Sequence, residues 1–323
     1  MEFFTKIRIE PFSKKINHKQ QIFSIGSCFS ENMAQRLRRA KFHITCSPTG
    51  ILFNPESIAL CLDQLTAGSN ITAQQLLQAN GLWFNYDFHS SFSSTDKECA
   101  LSMMQQAIDE GAKALKEANI VIVTFGSAWV YRHRESNKVV ANCHKQPQAI
   151  FNRELLTVED IVNRWSSLLC STLKDKQVIF TVSPIRHLSD GLEQNSLSKA
   201  TLRVAIAQLT AKFDNACYFP SFEIMNDELR DYRFYAEDMT HPSQVAIEYI
   251  WQRFCETAIS KESIDMMERI AKITQAAEHR PFNPQSEAYR NFCLKQLEEI
   301  EKITISNPAI NFNEEKTIFV AHL

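Results

Sequence analysis

The sequence predicts an α/β protein with three layers, helix on sheet on helix, around a mainly parallel sheet, plus a helical C-terminal extension. Three observations carry that expectation. Runs such as NIVIVTF (119–125) and QVIFTV (177–182) are β-branched and apolar on both faces, as strands covered on both sides must be. Helical patterns alternate with these runs, which is the signature of βαβ units. After about residue 260 two helical patterns follow with no further buried strand. Residues 1–260 are therefore expected to form the α/β domain, and residues 261–323 an extension packed on it.

The elements follow in order. Residues 21–25 read as a buried strand that runs through Gly26 into a helix over 30–40, and 42–46 as a second strand before the loop SPTGILFNP. Pro55 suits a first helical turn, so 56–65 is helical. Residues 81–94, aromatic and polar without period, predict a long loop over a site. A helix over 97–118 feeds the strand at 119–125, which Gly126 stops. Residues 129–132 and 138–141 suit a small hairpin around Glu135-Ser136-Asn137. A helix over 154–173 precedes the strand 177–182, ended by Ser183-Pro184; a helix over 196–212, a short strand at 216–219 and a helix over 244–259 complete the domain. Helices over 263–275 and 286–303 flank HRPFNP in the extension.

Bulk properties narrow the function. A net charge of −2 among 323 residues builds in no attraction to nucleic acid or to anionic membrane. Short basic clusters such as Arg36-Leu37-Arg38-Arg39 read as a solvated helix face. Nine cysteines, with no CxxC pair, suggest neither a disulfide framework nor a thiolate metal cage. With no signal-like leader and no membrane-length apolar run, the expected location is the cytoplasm.

Ligands of open parallel sheets bind beyond the carboxyl ends of the strands. The polar residues there are Gly26-Ser27-Cys28, Ser47-Pro48-Thr49-Gly50, Gly126-Ser127-Ala128-Trp129 and Ser183-Pro184-Ile185-Arg186-His187. Asp238-x-x-His241, before Pro242, is the most informative late segment. That spacing lets the carboxylate hold one imidazole nitrogen while the other faces a nucleophile; the competing reading is that Asp238 or Thr240 caps the next helix. Cys28 and Ser27 are the nucleophile candidates. A thiol at a helix N-terminus is expected to have a lowered pKa and fast alkylation, whereas a serine would need His241 as general base. Cys28 could equally be a small buried hydrophobe and Ser27 a turn-maker.

The order of these segments is similar to the SGNH/GDSL hydrolases. More closely, Gly26-Ser27-Cys28-Phe29 with Ser30 resembles the signature of the GSCFA-domain family, related to those enzymes. Asn54-Pro55, Asp87-Phe88-His89-Ser90, Gly126 to Tyr131, Asn142-Cys143-His144-Lys145, Ser183 to His187 and Thr240-His241-Pro242 extend the likeness over roughly residues 20–260. The resemblance implies a serine-esterase-like site in which Cys28 takes the nucleophile position and Ser27 that of the preceding Asp. It implies Gly50 as an oxyanion donor. The block at Gly126 lacks the expected Asn, for which Asn142 is the substitute considered.

His89, His144 and His187 could in principle form a metal site, but their spacing favours structural hydrogen bonds, and no metal is expected. Arg186 and Lys145 could hold an anionic group, and Arg132 and Arg134 the same or only water. The expected function is acyl transfer on esters or thioesters, with a small-molecule or carbohydrate ester as substrate and no cofactor beyond an acyl-carrier thioester such as coenzyme A. The alternative is a ligand-binding protein on the same scaffold.

Overall fold

In the computed structural model, which describes residues 5–323, five parallel strands form the central sheet. They are β1 (Gln21–Gly26), β2 (His43–Cys46), β5 (Ile120–Phe125), β9 (Gln177–Val182) and β10 (Ala216–Tyr218), in spatial order β10-β9-β5-β1-β2. Ile22 pairs with Ile44 on one side of β1 and with Ile120 on the other, and Val121 of β5 pairs with Val178 of β9.

Alternation along the strands sends side chains to two covers. Phe23, Ile25, Val121, Val123, Phe125, Val178 and Phe180 face the layer of α2 (Pro55–Ala67), α3 (Lys97–Glu117), α4 (Val158–Cys170) and α5 (Leu192–Lys212). Ile22, Ile120, Ile122 and Ile179 face α1 (Cys28–Arg39) and α7 (Gln244–Ala258), through Phe29, Met33, Leu37, Ile250 and Phe254. Covering both faces buries all of β5, and β1 and β9 beyond their first residues. Each such side chain gains ~1.5–3 kcal/mol, which is why the strands read as continuous apolar runs.

Small pairings lie outside this sheet. β3 (Leu77–Ala79) and β4 (Leu82–Phe84) form a hairpin whose second strand falls in the 81–94 segment expected to be loop, and β6 (Trp129–His133) pairs with both β7 (Val139–Val140) and β8 (Phe151–Leu155). β8 corrects the helix expected from residue 154: α4 starts at Val158, behind a Thr157–Asp160 capping box. α6 (Ser221–Glu223) continues as a π-helix over Ile224–Leu229, also unforeseen.

The extension holds α8 (Lys261–Glu278), α9 (Glu287–Ser306) and an unforeseen α10 (Asn313–Val320) around Ile270, Ile273, Tyr289, Cys293, Ile300, Ile303 and Phe319. It docks through a mostly buried Lys41–Glu315 ion pair at 2.7 Å, with Arg39–Glu278 also at 2.7 Å. These contacts lie at the C-terminal end of α1, about 18 Å along its axis from Cys28. Among the described residues no helix is long and apolar enough to cross a membrane.

Candidate active site

The strand order reverses direction between β1 and β5, and at such a switch point the loops leave to opposite faces and open a crevice. Gly26 ends β1 there with φ +143°, and a Cβ on it would lie 2.2 Å from the Thr124 carbonyl oxygen of β5. Only glycine allows that approach. Ser27 is the N-cap of α1, extended at φ −69°, and Cys28 is the first helical residue. The thiol is therefore carried on a tight strand-to-helix turn, beside amides that the helix itself leaves unbonded.

The late segment meets it. Cys28 Sγ lies 3.6 Å from His241 Nε2, and His241 Nδ1 lies 2.5 Å from Asp238 Oδ2. Asp238 Oδ1 accepts the amides of Thr240 and His241, each at 2.9 Å. Those three donors hold the Asp238 carboxyl well below the usual carboxylate range, the His241 amide contributing most. An ionised Asp238 keeps the ring proton on Nδ1 and leaves Nε2 as acceptor toward sulfur. Asp238 does not cap the next helix, because Ser243 does so by accepting the Ala246 amide at 3.3 Å.

The thiol departs from expectation. Burial pushes the Cys28 thiol up, outweighing the downward pull of the Cys28 and Phe29 amides and of Lys199. Cys28 thus rests as a thiol at neutral pH. Ser27 is 1% exposed and its Oγ has no hydrogen-bond partner, whereas the sulfur of Cys28 faces the imidazole.

Lys199, which the sequence reading passed over, lies beneath this turn. It is 2% exposed, and its Nζ donates to the carbonyls of Gly126 at 2.6 Å and Ser183 at 2.8 Å. Burial lowers its pKa to about 7, against a smaller upward pull from neighbouring Cys28. The signal was present in α5. Its buried stripe Leu202, Ala205, Ile206, Leu209 extends backward at helical spacing to Asn195, Ser198 and Lys199. Each of the three holds a strand-end loop: Asn195 Oδ1 accepts the His187 amide at 3.1 Å and Ser198 Oγ the Ala128 amide at 2.7 Å.

His187 follows β9. Burial first and Lys199 second lower its pKa to about 4, and its buried Nε2 makes no hydrogen bond of normal geometry. The folded state therefore prefers the neutral ring. Stability contributed this way is full above about pH 6.5 and lost as pH falls toward about 4, by up to ~3 kcal/mol. Burial lowers His18 and His144 as well, in the same direction. Urea midpoints at about pH 7 and about pH 4.5 are expected to differ less in His187→Gln than in the native chain.

Other expected site residues are placed elsewhere or are already bonded. The Gly50 amide donates to Ser47 O at 2.8 Å and the Gly126 amide to Phe53 O at 2.7 Å, so neither is free as an oxyanion donor. Asn142 is tied to its own loop, its Oδ1 accepting the His144 amide at 2.8 Å. His144 Nε2 lies 2.9 Å from Asn85 O, and His89 Nδ1 lies 3.0 Å from Ser91 Oγ. These two histidines order the loop before α3, and among the described residues no three ligand side chains gather for a metal. Arg186 stacks over Tyr235 at 3.9 Å and Tyr232 at 5.0 Å, while its amide donates to Thr240 O at 3.1 Å. It braces the His241 loop. Arg132 pairs with Glu154 at 3.0 Å, beside a charged cleft of about 830 Å³ lined by Glu56, Asp87, Lys138 and Arg164, apart from Cys28.

Fold and site together define a doubly wound α/β protein with Cys28, His241 and Asp238 gathered at its topological switch point. A profile described as the GSCFA family matches residues 21–254, and one described as the GSCFA domain protein, C-terminal domain, matches residues 270–323. The chain belongs to the GSCFA family. No curated protein matches it.

Proposed function

We propose that the protein is an acyl-transfer enzyme that works through a Cys28 thioester, in the manner of the SGNH/GDSL hydrolases that its motifs resemble. The observation that carries this reading is the Sγ–Nε2 separation of 3.6 Å together with the 2.5 Å contact from His241 Nδ1 to Asp238 Oδ2. As sulfur attacks an acyl carbonyl, the thiol proton passes to His241 Nε2, and Asp238 stabilises the imidazolium. The tetrahedral intermediate collapses, its C–O or C–S bond breaks, and His241 returns the proton to the departing alcohol or thiol. Water or a hydroxyl acceptor then gives its proton to His241 and attacks the thioester, releasing the acyl product and the Cys28 thiol. Side chains of His241 and Asp238 are about half exposed, which leaves room for a bulky acceptor such as a sugar.

Asp238→Asn tests the relay with little change of shape. It is expected to lower acyl transfer by ~10²–10⁴ by favouring the wrong tautomer. A p-nitrophenyl ester series measures this, and an unchanged rate would remove Asp238 from the mechanism. The raised Cys28 thiol and the engaged Gly50 and Gly126 amides favour a second reading, a binding protein without turnover. Acyl release that depends on Cys28 separates the two.

A further inference from the structure

Lys199 is a buried cation with no anion to answer it. The residue is 2% exposed, and its Nζ donates to the carbonyls of Gly126 at 2.6 Å and Ser183 at 2.8 Å. The Phe222 ring lies on another side, its centroid 5.8 Å from Nζ. No carboxylate among the described residues pairs with it. Taking an ammonium out of water without an opposite charge is costly. Two neutral carbonyls could be held as well by an amide, so the charge itself asks for a reason.

The carbonyls it holds stand at the ends of adjacent strands, Gly126 after β5 and Ser183 after β9. Both lead to the nucleophile. Gly126 lies against the Cys28 turn, since a Cβ built on it would be 3.3 Å from Ser27 Cβ. From Ser183 the chain runs to Arg186, whose amide donates to Thr240 O at 3.1 Å and so ties the His241 loop to β9. The titratable groups around the cation are Cys28 and His187, with His241 and Asp238 next to the sulfur. Asp238 is ionised and His187, lowered to about 4, is neutral near neutral pH. Proton loss from Cys28 supplies the missing negative charge.

We propose that Lys199 is a positioning residue of the acyl-transfer site, which ties the ends of β5 and β9 together and whose buried ammonium favours negative charge on Cys28 as His241 takes the proton. The proton step rests on the acyl-transfer reading; the field on the sulfur does not. Burial still leaves Cys28 protonated at rest, and Lys199 reduces that penalty. In a low-dielectric interior a cation acts through such a distance without contact. Its help is full while Lys199 is charged, below about pH 7, and fades as pH rises through that value.

The test measures alkylation of Cys28 by iodoacetamide across pH, with peptide mapping to assign the sulfur. It is made in His241→Ala, so that no imidazole beside the sulfur adds its own titration. Lys199→Gln, added to that chain, removes the charge but keeps N–H donors for the two carbonyls. Below about pH 7 the chain with Lys199 is expected to alkylate ~10-fold faster or more, and the two rates should converge above that pH. Equal rates throughout, or a loss of the same size at every pH, would overturn the role of the charge. If Lys199→Gln shows no cooperative urea transition, the chain with Lys199 decides alone. Its rate should rise with pH and flatten just above about pH 7 before rising again, and an unbroken rise through that pH would overturn the proposal. Alkylation involves no acyl group. A Cys28 that follows this profile yet never takes an acetyl group from p-nitrophenyl acetate in the native chain would contradict acyl transfer and leave the field on the sulfur standing.

Discussion

Replacing His241 by alanine is expected to lower acyl transfer by on the order of 10⁴-fold, because the resting sulfur is a thiol whose hydrogen-bonding base among the described residues is His241. In a thiolate enzyme the imidazole mainly maintains an ion pair already formed. Here burial keeps the proton on sulfur, so attack and proton transfer must be coupled. The dependence on His241 should then be steepest near neutral pH and weaken at high pH, where hydroxide can ionise Cys28. Initial rates with p-nitrophenyl acetate from neutral to alkaline pH, for the native chain and His241→Ala, measure this. Equal rates at neutral pH would mean that the imidazole does not take the proton. Cys28→Ala is expected to remove the acyl-enzyme completely, since Ser27 is enclosed and does not face His241.

Gly26→Ala carries the largest expected cost to the fold. The added Cβ would meet the Thr124 carbonyl oxygen at 2.2 Å from a backbone held at φ +143°. That oxygen already accepts the Ser27 amide at 3.1 Å and belongs to the central strand, so it cannot move aside alone. Left-handed strain of ~1–3 kcal/mol and overpacking of similar size together give a loss of ~3–5 kcal/mol. This is a large share of the ~5–15 kcal/mol that holds a typical domain together. Urea denaturation measures it, and a loss under ~1 kcal/mol would mean that the turn relaxes freely.

What the sequence disclosed follows from the range of the forces involved. β1, β5 and β9 were legible because burial on both faces favours apolar residues on both, leaving only Ser24, Thr124 and Thr181 as buried polar side chains. The parts later joined as Cys28, His241 and Asp238 were legible because each lies in a short segment whose local geometry constrains it. The relation of Ser27 to Cys28 was not, since adjacent residues at a turn point to opposite sides and only the fold decides which side holds the imidazole. β8 read as the start of a helix because Glu154 and Leu155 suit a helix as well as an edge strand, and pairing with Trp129 and Val130 decided the matter. Nothing local set Lys199 apart from the other charges of α5. Its burial depends on which turn of that helix lies under the strand ends, a tertiary fact. The Gly50 amide looked available for the same reason in reverse, since the Ser47 carbonyl that engages it is invisible until the loop is folded.

Acyl transfer through Cys28 requires a covalent acyl group on one sulfur of nine. Mixing the native chain with p-nitrophenyl acetate, quenching in acid and mapping acetylated peptides by mass tests it most directly. A hydroxylamine-sensitive acetyl group is expected on the Cys28 peptide, formed before those on exposed Cys99 and Cys170 and absent from that peptide in Cys28→Ala. Acetylation that spreads over Cys99 and Cys170 first and leaves Cys28 free would contradict it.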